Sequence, residues 1–242
     1  FKGVKHYILI YIFSFYIYFD NLCEIEHLSV FPIINSIPTV ALQTITGNML
    51  GDGHISLSKN NKTGGKYSMT MDVYSLNYLN HLDEMIYSQF TDTNMYACPN
   101  ISLPQHKGTE VSYYQLRTKT HPLYTALHSL WYKWNNDKNR FIKIVPLNIS
   151  EMFSEVSLAY WIMDDGYYDS YGRTQTTLIC TESFSREECI VLQSLLENLN
   201  IKSTLKIRDK NKNTYRIRIS KTSMDRVRSL VSPHMQKDFY IN

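Results

Sequence analysis

The sequence predicts an α+β fold built twice: a pseudo-symmetric pair of αββαββα subdomains, each with one antiparallel sheet. Three observations predict it. A nine-residue pattern at Ile45–Gly53 recurs at Leu158–Gly166, each copy a short apolar run with small residues that ends in Asp-Gly. The two aspartates, Asp52 and Asp165, lie 113 residues apart, which is the length of a domain. The helix and strand signals that follow the first copy return in the same order after the second.

The elements read as follows. Val40 to Gly51 is a helix stopped by Gly51-Asp52-Gly53. His54–Ser58 and Lys66–Tyr74 are strands joined by the turn Lys59–Gly65. Ser75 caps a helix over Leu76–Phe90. A hairpin follows at Met95–Ile101 and Glu110–Thr118, turned through Pro104–Gly108, and then a helix over His121–Trp134 with an aromatic face. Residues Asn135–Ile149 read as a polar loop. The second half begins with a helix over Ser154–Asp165, then strands at Tyr167–Asp169 and Thr174–Cys180. Ser185-Arg-Glu-Glu188 is a capping box opening a helix to Asn200. Strands Ser203–Arg208 and Tyr215–Ser220 flank an Asp209–Asn213 turn, and Ser223–Val231 is the last helix. The implied organisation is 1–38 as an apolar leader and linker, 39–150 as the first subdomain and 151–242 as the second.

Composition sets limits. The 242 residues carry 43% hydrophobic side chains, enough for a folded core, and a formal net charge of +3. That balance is too mild to name a nucleic-acid partner without knowing where the charges sit. None of Cys23, Cys98, Cys180 and Cys189 forms a C-x-x-C pair, which argues against a zinc site and fits a reducing compartment. Tyr7–Phe19 is apolar but shorter than the roughly 20 residues a spanning helix needs, so it reads as a leader and no stable membrane partner is expected. The chain begins with Phe1, as a fragment or a processed product would. His54, His81, His106, His121 and His234 show no metal-ligand spacing and read as ordinary residues. Trp131 and Trp134 read as helix packing.

The chemistry concentrates at the repeats. Two helices packed side by side would bring Asp52 and Asp165 together at their C-terminal ends. A carboxylate there meets the negative end of the helix dipole, and two close carboxylates repel. A hard divalent cation removes both penalties, which points to Mg²⁺ (or Mn²⁺). Gly47, Gly51, Ala159 and Gly166 would let the two backbones approach closely.

The repeat resembles the LAGLIDADG homing endonucleases in their single-chain, two-repeat form. Ser157–Gly166 looks most like the omega-type mitochondrial intron endonucleases, and Lys143-Ile-Val-Pro146 matches the place where that family carries an active-site lysine before a proline. The resemblance covers residues 40 to 242. It implies a site-specific, intron-encoded endonuclease that makes a staggered double-strand cut in a long DNA target by metal-dependent hydrolysis. It implies Asp52 and Asp165 as metal-binding catalytic acids, with Gly51 and Asp164 contributing backbone carbonyls, and Lys143 as the catalytic lysine of the first half. Lys237, after Pro233, is the candidate for the second lysine, although a gap-free register from that proline lands on Asn242. A monomer acting on double-stranded DNA in the mitochondrion follows. The alternatives are a maturase that binds its group I intron RNA on the same fold, and an inactive DNA-binding relative.

Alternation supplies a DNA-binding surface. Lys206, Arg208, Arg216 and Arg218 interleave with Leu205, Ile207, Ile217 and Ile219, so one strand face is basic and the other apolar. Gln115, Arg117 and Lys119 form the matching face of the first half, and Gln175 and Thr177 add donors. A β-ribbon fits the major groove, where arginine and glutamine read base edges.

Overall fold

The computed structural model describes residues 32–58, 64–170 and 175–239. The Tyr7–Phe19 stretch, Cys23, most of the Lys59–Gly65 turn, Thr174 and Asn242 lie outside them. Residues from Pro38 onward form one compact unit. Among the described residues no helix is long and apolar enough to cross a membrane.

The first half runs α1 (Thr39–Leu50), β1 (His54–Leu57), β2 (Gly65–Asp72), α2 (Leu76–Met85), β3 (Thr93–Cys98), β4 (Tyr113–Thr118) and α3 (Pro122–Trp131). A hairpin of β5 (Tyr132–Asn135) and β6 (Arg140–Lys143) and the short α4 (Ile149–Met152) lead to the second half. This repeats the order as α5 (Glu155–Asp165), β7 (Gly166–Asp169), β8 (Thr176–Cys180), α6 (Arg186–Asn198), β9 (Ser203–Asp209), β10 (Thr214–Ile219) and α7 (Met224–Val231).

Local chemistry accounts for the boundaries. Pro122 opens α3, where its fixed φ suits the first turn. Ser154 caps α5 by accepting from the Val156 amide, while the Ser157 hydroxyl accepts from the Ser154 amide. The Ser185–Glu188 capping box forms as the sequence reads, and Glu188 also accepts from the Val145 amide, tying the inter-half segment to α6. Ser75 does not cap α2. Instead Asp72 accepts from the Ser75 amide and nucleates a 3₁₀ turn, Val73–Ser75, that feeds the helix. The α3 helix ends three residues earlier than the sequence suggests, because Tyr132 adopts extended backbone. The end of the stretch read as a helix and the first part of the Asn135–Ile149 stretch read as a polar loop together form the β5–β6 hairpin, with Asn139 in the left-handed region (φ 46°) at its turn.

The two sheets share one topology, β1-β2-β4-β3 and β7-β8-β10-β9. Their registers match as well. His54 faces Ser68, which faces Arg117, which faces Asn94. The same path through the second sheet is Tyr167, Leu178, Arg218 and Thr204. The duplication therefore extends to individual ladder positions. Each sheet buries one face: Ile55, Tyr67, Met69 and Leu116 in the first, Ile179, Ile217 and Ile219 in the second. Helix α3 packs on β1 and β2, and α6 on β9 and β10. The opposite faces lie open.

Helices α1 and α5 pack along each other. The closest approach is at Gly47, where an added Cβ would sit 2.5 Å from the Ser157 carbonyl oxygen and 2.7 Å from Tyr160 Cβ. At Gly51 it would sit 2.3 Å from Asp164 Cβ. At these two glycines α5 presents Tyr160 and Asp164, and Ala159 is fully buried on α5. Gly166 meets only its own helix, at Ile162. The Ser157 hydroxyl donates across to the Gln43 carbonyl at 2.8 Å. Gly47→Ala forces backbone apart here, and the clash outweighs the roughly 1 kcal/mol gain in helix propensity. The expected outcome is a loss of about 1–3 kcal/mol in urea unfolding, and unchanged or higher stability would show that the close approach is not a constraint.

Candidate nuclease site

The α1–α5 contact delivers both acids to one place. Each helix ends one or two residues before its aspartate or at it, and the following strand leaves for its own sheet. Gly51 N–H closes α1 on Gly47 and Asn48, and Gly53 N–H donates to the Asn48 carbonyl at 2.8 Å. Asp52 stands between them. On α5, Asp165 is the last residue, and Gly166 N–H closes the helix on Ile162.

Lys143 reaches this point from the end of β6. Its Nζ donates to the Gly51 carbonyl at 2.9 Å and to the Gly53 carbonyl at 2.6 Å, bracketing Asp52. Burial pulls its pKa down to about 8, against the opposing pull of Asp165, Asp164 and Asp52. Burial and the Asp52 charge push Asp165 up to about 7, with Lys143 opposing. Asp52 is raised too, by partial burial, although it is solvent-exposed at the rim, and Lys143 restrains the rise. The three side chains therefore feel one another, and two carboxylates face a single buried ammonium.

Asp164 has a different role from its neighbour. Its carboxylate accepts from the Tyr78 hydroxyl at 2.6 Å and from the Asn48 amide at 3.1 Å. Asn48 in turn accepts from the Tyr87 hydroxyl at 2.9 Å. Burial holds the Asp164 pKa well above the usual carboxylate range despite those two donors. Its side chain is a strut between the halves, joining α5 to α1 and α2, so only its backbone carbonyl is left for the metal role expected of it.

His54, read from sequence as ordinary, belongs to the cluster. Tyr132 accepts from the Ile55 amide at 3.0 Å, and its hydroxyl shares a hydrogen bond with His54 Nδ1 at 3.0 Å. Burial and the Lys143 charge lower the His54 pKa. The signal in the sequence was its position two residues after Asp52. Lys237 is not in the cluster. It is exposed in a 3₁₀ turn, Lys237–Phe239, and among the described residues it bonds neither aspartate. That turn is anchored by Phe239, whose ring meets Tyr78 edge-on at 5.1 Å.

The open sheet faces carry most of the remaining candidates. In the second sheet Lys206, Arg208, Arg216 and Arg218 line a groove of about 270 Å³ with Tyr167, Asp169 and Leu178. Arg216 is already engaged: it bonds Glu182 at 2.5 Å and the Tyr167 hydroxyl at 2.8 Å. Arg208 lies 4.0 Å from the same Glu182. Ile207 is exposed against the alternation although it keeps the regular register opposite Tyr215. In the first sheet Gln115 donates to Thr70 and Arg117 lies over the Tyr96 ring. Ser68, Thr70, Asn94 and Tyr96 share this face by register, and the sequence reading missed them by attending to β4 alone. Lys119 lies just beyond β4 and pairs with Asp92. Gln175 is exposed just before β8. Thr177 is a correction: it is 1% exposed, on the Ile179 side of β8, and cannot meet a ligand on the open face.

The profile of the LAGLIDADG DNA endonuclease family matches residues 42–227. The cytochrome b mRNA maturase bI2 of Saccharomyces cerevisiae is 31% identical over 201 residues, which is 80% of this chain and 45% of the maturase. The chain thus spans less than half the length of that relative. The DNA endonuclease I-ChuI of Chlamydomonas applanata is 27% identical over 194 residues, covering 79% of this chain and 88% of the relative. Among solved structures, the homing endonuclease I-WcaI bound to its DNA recognition sequence superposes with a TM-score of 0.64 at 23% identity, over 83% of this chain and 84% of its own. I-DmoI in complex with DNA and Mn gives 0.53 at 14% identity, over 81% and 99%. With the doubled topology, the paired helices and the profile match across most of its length, this chain belongs to the LAGLIDADG DNA endonuclease family.

Proposed function

We propose that this chain is an intron-encoded, site-specific endonuclease that holds duplex DNA against its two open sheet faces and hydrolyses one phosphodiester bond in each strand beside Asp52 and Asp165. The observation that carries the reading is the Asp52–Asp165–Lys143 cluster at the ends of the two glycine-packed helices. Phosphodiester hydrolysis needs an activated water, neutralisation of charge on the phosphate and stabilisation of the leaving oxygen.

The donor set fits a divalent metal. Two carboxylates and the Gly51 and Asp164 carbonyls offer only hard oxygen, which suits Mg²⁺ or Mn²⁺ and not zinc. No group of three or more histidine, cysteine or acidic side chains gathers among the described residues, so backbone oxygens would complete the set. The raised Asp165 pKa supports the fit, since the half-buried Asp165 and the rim-exposed Asp52 share the single Lys143 cation. When bound, the metal supplies Lewis acidity and charge neutralisation. The chain's own residues do the rest. Asp52 and Asp165 orient the water, and Lys143, with its pKa brought near 8, exchanges a proton with solvent or stabilises charge on the phosphate. The Mn in the I-DmoI complex is consistent with this chemistry. Names such as cytochrome b mRNA maturase among the relatives favour a mitochondrial setting.

The decisive cleavage assay uses a library of candidate intron-insertion sites. Asp165→Asn abolishes double-strand cutting with Mg²⁺ while keeping DNA affinity, and full cutting by that variant rejects the assignment. Among the described residues no lysine of the second half bonds Asp165, and the hydrogen bonds of Lys143 bracket Asp52, so nicked product accumulates before linear product. Lys143→Met slows one strand by about 10²-fold and the other little; equal slowing of both strands would contradict a lysine dedicated to one.

Proton linkage gives an independent test. The folded-state pKa of Asp165 lies above its unfolded value of 3.8, so its contribution to stability is present at low pH and is lost as pH rises through about 7. Without divalent ions, Asp165→Asn therefore melts a few degrees above the parent at pH 8, and the gap narrows below about pH 7 and closes near pH 4. Mn²⁺ raises the parent's melting temperature and not the variant's. A gap that is constant with pH would count against the carboxylate pair.

A second reading is supported by the maturase relative and by the single lysine. In it the same fold binds group I intron RNA and DNA cleavage is lost. Tight binding to folded intron RNA with no cutting of any site in the library would select it. DNA binding with neither activity would select an inactive relative.

A further inference from the structure

Followed across each sheet from its acid, the two halves differ in charge. The β1–β2 register, extended by two residues beyond the His54–Ser68 pair, sets Asp52 opposite Thr70, and Thr70 faces Gln115. The β7–β8 register, extended by one residue beyond the Gly166–Ile179 pair, sets Asp165 opposite Cys180, and Cys180 faces Arg216. Both lines run along the open faces, because the neighbours Met69, Leu116, Ile179 and Ile217 are the buried ones. Where the first half has a neutral amide two strands from its acid, the second has a guanidinium. The lysine is distributed the other way: Lys143 brackets Asp52, and among the described residues no lysine bonds Asp165.

Arg216 is held in place. Its Nε donates to Glu182, its Nη2 lies 2.5 Å from the same carboxylate oxygen, and its Nη1 donates to the Tyr167 hydroxyl at 2.8 Å. The guanidinium carbon sits 5.3 Å from the centre of the Tyr167 ring, and Tyr167 follows Asp165 by two residues, as His54 follows Asp52. These contacts leave the side chain 20% exposed, against 60% for Arg208. They use three of the guanidinium N–H groups, so each terminal nitrogen keeps one donor for a phosphate oxygen. The backbones at Asp165 and Arg216 are two strand spacings apart, or about 10 Å, which an aspartate, a phosphate and an arginine can span together. Burial, followed by the Asp52 charge, raises the Asp165 pKa, and Lys143 and Arg216 oppose the rise. The charge of the arginine therefore reaches the acid.

We infer that Arg216 is a further catalytic residue: it binds the scissile phosphate of the strand served by Asp165 and stabilises its charge, the part that Lys143 plays beside Asp52. Glu182 and Tyr167 are its positioning residues. The inference deepens the nuclease reading above and rests on it. An arginine keeps its charge throughout the working range, so it stabilises the phosphate and takes no proton from water. The strand at Asp165 is thus cut, but more slowly, and the chain needs no second lysine to cut it.

The test follows each strand of an end-labelled duplex that the parent chain cuts, in single turnovers with Mg²⁺ and saturating protein. Duplex affinity is measured against salt without divalent ions. Lys143→Met identifies the strand served by the lysine. Arg216→Gln should slow the other strand by about 10²-fold, leave the lysine's strand near the parent rate, and lower the slope of log K against log salt by about 1. Arg216→Lys should recover the slope but only part of the rate, because it keeps the charge without the fork. Glu182→Gln should slow the same strand, and by less. If Arg216→Gln loses the parent's circular dichroism, Arg216→Lys decides, by a loss on that strand alone or by parent rates on both. Equal slowing of both strands, parent rates on both at saturation, or an unchanged salt slope in Arg216→Gln would overturn the role of the arginine and leave the nuclease reading standing. A parent chain that cuts no site in the library would overturn both.

Discussion

Everything at the site depends on how closely two helix backbones can approach. Gly47 and Gly51 leave α1 without side chains where α5 lies, and Ser157, Tyr160 and Asp164 fill the space. That packing fixes where the helices end relative to each other, and the ends fix Asp52 and Asp165. The same contact buries the carboxylates enough to raise both pKa values. A wider separation would place two ordinary surface aspartates in water, each with its own counter-ions. The stored repulsion gives a divalent cation something to relieve, and so steric fit and chemistry are one constraint.

A polar strut secures the arrangement. Asn48, Tyr78, Tyr87 and Asp164 form a buried hydrogen-bonded set that spans both halves, with every partner named and matched. Buried polar networks are stable only when satisfied, and once satisfied they favour one geometry over its neighbours. Leucine-type packing at the same place would hold the helices together but would tolerate small slides along the axis. A slide of even a fraction of a helical turn would misalign the acids. On this view the second aspartate of Asp164-Asp165 matters through position, and the first-half counterpart, Gly51, is small because Asp164 lies on it.

Much of this was legible in the residues. Two Asp-Gly endings at domain spacing gave the duplication, and the capping box at Ser185 gave the start of α6. The alternation around Arg216 and Arg218 gave one open face. What escaped notice did so for physical reasons. The Asn135–Ile149 stretch looked like a loop because β6 within it is only four residues long and its apolar pair, Phe141 and Ile142, is adjacent and so gives no alternation. Thr177 was misplaced because neighbouring Thr176 and Thr177 give no polar–apolar contrast to set the strand's face. His54 and Tyr132 are joined only in three dimensions. The asymmetry of the site, one lysine bracketing Asp52 and none bonding Asp165, required coordinates, because Lys237 lies close to the right place in sequence but is exposed and among the described residues bonds neither aspartate.

The central claim is that Asp52 and Asp165 share one site and feel each other's charge. Carboxyl-carbon NMR titration of Asp165 in metal-free protein, compared with the same titration in Asp52→Asn, tests it most directly. The account predicts a pKa near 7 in the parent and a clear fall when the Asp52 charge is removed. A value near 4 in both proteins, or one that ignores the substitution, would mean that the two helix ends do not form a common site.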